Sequence, residues 1–445
     1  MGHGAGASRT RSARRMLAGT VGLVLLAAPA ASAAVFGTAT ERVSVRTNEQ
    51  QVAGPSEGAD LSADGRYVAF ASRARGLVAG DTNAESDIFV RDRVAGTTTR
   101  VSLSSGEGQG NGASGSPSIS RDGRYVAFYS AATNLVAGDG NGRLDVFVRD
   151  TVAGTTRRAS VAAGGGSANG DSIFPSISGN GRWVAFSSRA SNLVAGDTNA
   201  TYDVFRRDLT LGTTQRMSVS SLGEGGDGAS LDPAISGDGS VVAFVSDATN
   251  LVTFDDGLFA DVFARDVATG LTERISANLD GGLADSFAAE PAVSASGRYV
   301  AFDSSARNLV PGDTNLFQDV FVRDRSLART ERVSVGDAGE QLDAISAAPD
   351  ISADGSVVAF FSLPAGVDTV SQIQVRNRRA GTLDLASVAA SGQPGNDSSS
   401  GAAISPDGRV VGFTSNATDL VPRDTNATQD VFVRTRSPGV EDDDG

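Results

Sequence analysis

Between residues 40 and 436 the chain alternates short β-branched and aromatic runs with stretches rich in Gly, Asp, Ser and Asn. Nowhere do the apolar positions adopt the spacing of a helix face. The stretch 118–161, SISRDGRYVAFYSAATNLVAGDGNGRLDVFVRDTVAGTTRRASV, shows one cycle, and versions of it return along the chain. A small-residue strand (Pro117-Ser118-Ile119-Ser120) leads into an Asp-Gly turn and an aromatic run over 124–130. A long polar loop, a run over 145–150, an Ala-Gly-Thr turn and a last run over 157–161 complete it. The turn glycines are Gly65, Gly123, Gly181, Gly239, Gly297, Gly355 and Gly408, spaced 58 residues apart except for a final 53. Asp-Gly at these points signals a two-residue hairpin loop. Seven units of four short strands predict an all-β fold, a seven-bladed propeller with four antiparallel strands per blade.

The seventh unit stops after its third run, and the missing fourth lies at the other end: TERVSV at 40–45 matches TERVSV at 330–335. The N-terminal strand is expected to pair into the last blade and close the ring, which removes open sheet edges. In such blades the loop between second and third strands and the connection between blades emerge on one face. The tight turns emerge on the other. The long-loop face is the expected functional face.

Residues 1–33 read as a signal peptide: Arg9, Arg11, Arg14 and Arg15, a short apolar run over 17–28, then Ala31-Ser32-Ala33. No Ser or Thr directly precedes the arginine pair, so the signal reads as Sec-type rather than twin-arginine. The expected organisation is a signal over 1–33, the propeller over 34–437 and an acidic flexible tail over 438–445, with the product secreted or extracytoplasmic. No later segment is apolar and long enough to span a membrane. The net charge of −14, with no basic cluster, argues against nucleic acid and anionic membranes as partners. There is no Cys, and the one His is His3, inside the expected signal. Thiol chemistry, Ser-His-Asp catalysis and His-bound zinc are therefore not expected.

The repeat resembles a known family. Ser405-Pro406-Asp407-Gly408-Arg409, the stretch Ser62-Ala63-Asp64-Gly65-Arg66-Tyr67-Val68-Ala69-Phe70-Ala71-Ser72 and the later Asp87-Ile88-Phe89-Val90 are similar to the propeller repeat of TolB-like, more broadly WD-like, proteins. The resemblance covers about 41–436 and implies the fold; the same repeat serves many functions. TolB itself has six blades and an N-terminal α/β domain, so a Tol-system role is not implied. No hydrolase domain is expected to follow, unlike in the prolyl-peptidases that related propellers cap.

The sharpest polar motif is D-x-N-x-x-x-D in the long loop. It occurs as Asp81, Asn83, Asp87; Asp139, Asn141, Asp145; Asp197, Asn199, Asp203; Asp313, Asn315, Asp319; and Asp424, Asn426, Asp430. Blade four has Gly257 in the Asn position, and blade six loses the loop by a deletion around Asp368. Alternating oxygen ligands on a tight loop suit calcium. Asx turns with a capping carboxylate suit the same residues without metal. Each loop offers three oxygen side chains and nothing acidic to close a cage, which favours the turn. A second motif, Arg-Asp at the end of the third strand (Arg91-Asp92, Arg149-Asp150 and their equivalents), reads as a turn stabiliser with an arginine spanning blades.

The inter-blade connections 104–115, 162–171, 220–230 and 389–401 are small-residue rich and read as solvated linkers or an adaptable binding rim. Phe254, Phe259 and Phe317, with Asp255 and Asp256, form the candidate contact patch, in loops that break the repeat. Carboxylate catalysis has its candidates where symmetry fails: Asp255, Asp256 and Glu290. The sequence thus supports an exported, non-catalytic binding or scaffold protein for a protein or polysaccharide partner outside the membrane. The alternatives are a carboxylate-based polysaccharide hydrolase or lyase, and a calcium-stabilised structural module.

Overall fold

The computed structural model describes residues 39–366 and 369–436. The expected signal, the acidic tail and Asp368 lie outside the described residues. The rest forms seven four-stranded antiparallel sheets. Blade one runs Ser56–Leu61, Tyr67–Ser72, Asp87–Asp92 and Thr97–Arg100, from the channel outward. Blade two runs Ser114–Ile119, Tyr125–Ser130, Asp145–Asp150 and Thr155–Arg158. The innermost strands of blades three to seven are Ser172–Ile177, Ser230–Ile235, Ala288–Val293, Ala344–Ile351 and Ser399–Ile404. The outer strand of blade seven is Thr40–Arg42, paired antiparallel with Asp430–Thr435 through Thr40–Arg434 and Arg42–Phe432. The ring closes as the repeat arithmetic requires.

Each second strand is buried almost throughout, because the next blade covers it. One hydrophobic cluster joins Ala69, Ile88 and Val90 of blade one to Ile119, Val126 and Phe128 of blade two. Within blade one, Phe70 stacks on Phe89 at 5.8 Å, and five other blades repeat the pair.

Two local expectations need correction. The Asp-Gly turn is a four-residue loop, since the Ser62 N–H donates to the Tyr67 carbonyl across 63–66 at 3.0 Å. The Asp64 carboxylate accepts the Arg66 N–H, and Gly65 takes a φ of 66°. The side-chain bond completes the turn that two residues alone were expected to make. Nor are the inter-blade connections plain linkers. They fold back as small hairpins (Leu103 bridges Gln109, Val161 bridges Ser167) laid along the next blade's outer strand. Ser105 Oγ donates to Thr156 O at 3.2 Å and accepts the Thr156 N–H at 2.9 Å. Ser221 does the same for Thr272. The exposed sheet edge is thereby capped, which explains why small polar residues stand there.

On the tight-turn face the turns themselves join. Ala63 N–H donates to Arg121 O, Arg121 to Gly179, Gly179 to Gly237, Asp238 to Ala295, Ala295 to Ala353, Ala353 to Pro406, and Asp407 back to Ala63, at 2.8 to 3.3 Å. Seven links at sheet-like spacing place this backbone circle about 6 Å from the axis. It narrows that end of the channel to roughly the width of a few waters.

Candidate functional site at the channel and loop face

The long loops are held by arginine. Arg100 Nη1 lies 3.5 Å from Asp81 and 3.2 Å from Asp87. Arg158, Arg216, Arg332 and Arg42 make the same two contacts to Asp139 and Asp145, Asp197 and Asp203, Asp313 and Asp319, and Asp424 and Asp430. Blade four, lacking the asparagine, keeps the arrangement as Arg274 with Asp255 at 2.9 Å and Asp261 at 3.0 Å. The last Asp of each loop also accepts a serine hydroxyl, as Asp87 does from Ser102 at 2.6 Å. The asparagines tie the loop down: Asn83 Nδ2 donates to Gly110 O, and its Oδ1 accepts the Glu85 N–H. Asn141, Asn199, Asn315 and Asn426 repeat this with Ala168, Gly226, Leu342 and Val52. The charge facing these carboxylates is a guanidinium. Among the described residues no group of three or more His, Cys, Asp or Glu is arranged to hold a metal ion. Burial and the Asp145 charge, opposed by Arg158, push Asp139 up to about 6.

The Arg-Asp motif behaves as its pattern suggested. Arg149 donates to Ser104 O, in the preceding inter-blade hairpin, at 3.0 Å. Asp150 accepts Arg124 and the Val152 and Ala153 N–H groups of its turn, and these bonds hold its carboxyl down at about 2.

The channel wall is where the units diverge. Every innermost strand breaks register at one point. A residue in the left-handed region stands at each break: Gly58, Ser116, Phe174, Asp232, Glu290, Ala348 and Gly401. No two neighbours in this ring are alike, apart from Gly401 and Gly58 across the closure. Below it a ring of Pro117, Pro175, Pro233, Pro291 and Pro349 lines a cavity of about 390 Å³, with Asp60 and Asp350 in its wall. Proline is tolerated because these strands are edges facing the channel. Asp60 accepts the N–H groups of Leu61 and of Ile119 in the next blade; Asp350 accepts those of Ile351 and Ile404. Burial outweighs these bonds and pushes Asp60 up to about 6 and Asp350 up to about 7.

Glu290 is the symmetry-breaking acid singled out in the sequence. It remains accessible from the channel, yet the surrounding wall, then Asp303 and Asp232, push it up to about 7. Asp303 is fully buried behind the channel mouth, accepting Gln318 Nε2 at 2.6 Å and the Ala348 N–H at 3.0 Å. Asp232 and Asp303 are not evident from sequence spacing. Their signal is their offset within the repeat, where blades one and two carry Gly58 with Ala71 and Ser116 with Tyr129.

Of the candidate patch residues, Phe254 and Phe259 are exposed, at 87% and 45%, beside exposed Asp256. Phe317 is half-buried, and Asp255 is turned inward onto Arg274. Leu258 and Leu316, not singled out from sequence, are exposed in the same two loops. The structure therefore separates an apolar patch on blades four and five from an acidic channel wall on the same blades.

Neither a protein-family model nor a curated protein matches the chain. Solved structures do. An oligogalacturonate lyase in complex with manganese is 13% identical over 89% of this chain and 92% of its own, at a TM-score of 0.55. The β-propeller domain of the Trilobed protease from Pyrococcus furiosus is 10% identical over 86% and 95%, at 0.51. A putative TolB from Agrobacterium tumefaciens is 16% identical over 77% and 95%, at 0.42. These are likenesses of fold. In architecture the chain is a seven-bladed β-propeller, the fold it shares with these structures.

Proposed function

We propose that the protein is a non-catalytic binding module that works outside the cytoplasm and receives its partner at the long-loop face. One observation carries this. Framework positions repeat from blade to blade, whereas the ring through Phe174, Asp232 and Glu290 and the loops of blades four and five do not. Divergence confined to one face of a repetitive scaffold marks the surface that meets a ligand. Burial raises all three carboxyls of this wall, Asp232, Glu290 and Asp303, so among the described residues it holds no pair split into one raised and one lowered carboxyl of the kind that marks an acid–base pair. The export signal read over 1–33 supports the location.

Glu290 favours one second reading. A carboxyl near 7 can serve as a general acid, as in a glycoside hydrolase or lyase. Anionic uronates would meet carboxylates here, which weighs against a lyase of acidic glycans. The test is turnover of neutral and acidic polysaccharides, followed by reducing ends and unsaturated products. The binding reading expects none. Turnover that disappears in E290Q overturns it in favour of the enzyme.

A further inference from the structure

The loop position before the first Asp takes a positive φ in six blades. It is Gly80, Gly138, Gly196 and Gly312 in four of them, Arg423 in blade seven and Phe254 in blade four, with φ between 62° and 77°. Phe254 is thus a bulky side chain in the left-handed region, where glycine serves best, and it is 87% exposed. Neither fact benefits the fold. Residues held in this way point to a task outside the fold. The neighbouring blade repeats the signature: Leu316, at φ 66°, is 73% exposed where blades one and three have Ala84 and Ala200. Leu258 at 72%, Phe259, Leu279 and Phe287 extend the apolar surface. Continuity is given by backbone, since the Ala288 N–H, beside Phe287, donates to Ala260 O, beside Phe259.

The charge around this patch is mostly of one sign, the exposed cation beside it being Arg307 in the blade-five loop, whose N–H donates to Asp285. Segments 220–230, 247–260 and 276–288 hold seven acidic residues and no basic one. Asp255 is neutralised by Arg274, whereas Asp227, Asp247, Asp256, Asp280 and Asp285 are exposed. Asp227 accepts the Thr249 hydroxyl and N–H, which hold its carboxyl below the usual range, so it stays ionised. Thr249 in turn borders Gly257 of the Phe254 loop. Aliphatic and aromatic anchors ringed by carboxylates repel an anionic lipid surface. They suit a polypeptide.

We infer that the loops of blades four and five form a docking surface for a partner protein segment in which arginine or lysine alternates with large apolar side chains. This rests on the binding reading above and names its partner class. The experiment uses the full chain and a synthetic peptide of alternating leucine and arginine, read by fluorescence anisotropy. A leucine–glutamate peptide and a neutral oligosaccharide serve as comparators. The leucine–arginine peptide is expected to bind alone among the three. F254G should weaken it at least tenfold while melting at the same or a higher temperature than the wild type. L316A and D256N should weaken it several-fold, with D256N flattening the salt dependence. Absence of binding, equal binding of the glutamate peptide, unaltered affinity in F254G, or a lower melting temperature in F254G overturns the inference. Capture of the oligosaccharide without turnover overturns the partner class and leaves the binding reading standing. That reading falls only on turnover.

Discussion

Gln372 accepts the hydroxyl hydrogen bond of Ser387, and in doing so takes the place of a carboxylate. The other six blades have aspartate there, bonded to the equivalent serine. In blade six the loop is shortened, Gln372 replaces the second aspartate, and Leu385 stands where the others place Arg100 and its equivalents. The second carboxylate and the guanidinium disappear together. In the six blades that keep the arginine, it and two aspartates form a buried ion triad that pins the loop.

The first prediction follows. R332L leaves Asp313 and Asp319 as buried, unpaired charges and should lower stability by about 3 to 5 kcal/mol, measured by chemical denaturation. Removing the carboxylates as well, as R332L with D319Q and D313N, should recover most of the loss. Equal destabilisation by both variants would show that the arginine acts by packing alone.

Protonation gives a second. Glu290 is raised from the usual 4.5 to about 7, so the folded state holds this proton more tightly than the unfolded chain. Stability attributable to it therefore falls as pH rises from about 4.5 to about 7 and is level above that. Asp350, also at about 7, acts in the same direction. E290Q should melt above the wild type at about pH 8 and with it at about pH 4. A gap that persists at the lower pH contradicts this.

Two glycines with the same φ separate conformation from space. Gly138, at 72°, has nothing within 4 Å of where a methyl group would stand, whereas at Gly123, at 73°, the Tyr67 ring would lie 2.2 Å from it. G138A should cost about 1 kcal/mol from backbone strain alone. G123A should cost roughly 1 to 3 kcal/mol more, since the ring of the preceding blade must move. Calorimetric melting of the pair checks the difference.

Closure can be tested by removal. Without residues 40–45, Asp430 loses Arg42 and Ser44, and the strand Asp430–Thr435 becomes an unpaired edge. The truncated chain should self-associate through that edge, seen by sedimentation velocity, and a synthetic peptide of 40–45 should suppress the association.

The ring, its closure and the turn role of Asp150 and its equivalents were legible because each is written locally and repeated. Leu103–Gln109 was not: a Gly- and Ser-rich stretch looks the same whether it is solvated or laid on an edge strand. The arginine partner of Asp87 was also hidden, since Arg100 lies on the next strand and meets it only across the sheet. The channel acids were hardest. Asp232, Glu290 and Asp303 meet only when blades curl about an axis that no single unit encodes, and only two of the seven register breaks are marked by glycine, Gly58 and Gly401.

The closing strand also settles an orientation. Thr40 pairs with Arg434 near the tight turns, and Arg436 N–H bonds to Arg409 O in one of them. Both ends of the described chain therefore leave side by side from that face. Anything joined at either end, whether a tether, a neighbouring domain or a solid support in an assay, holds the propeller by its back. The patch around Phe254 is then presented outward without further engineering, like a dish on a mast.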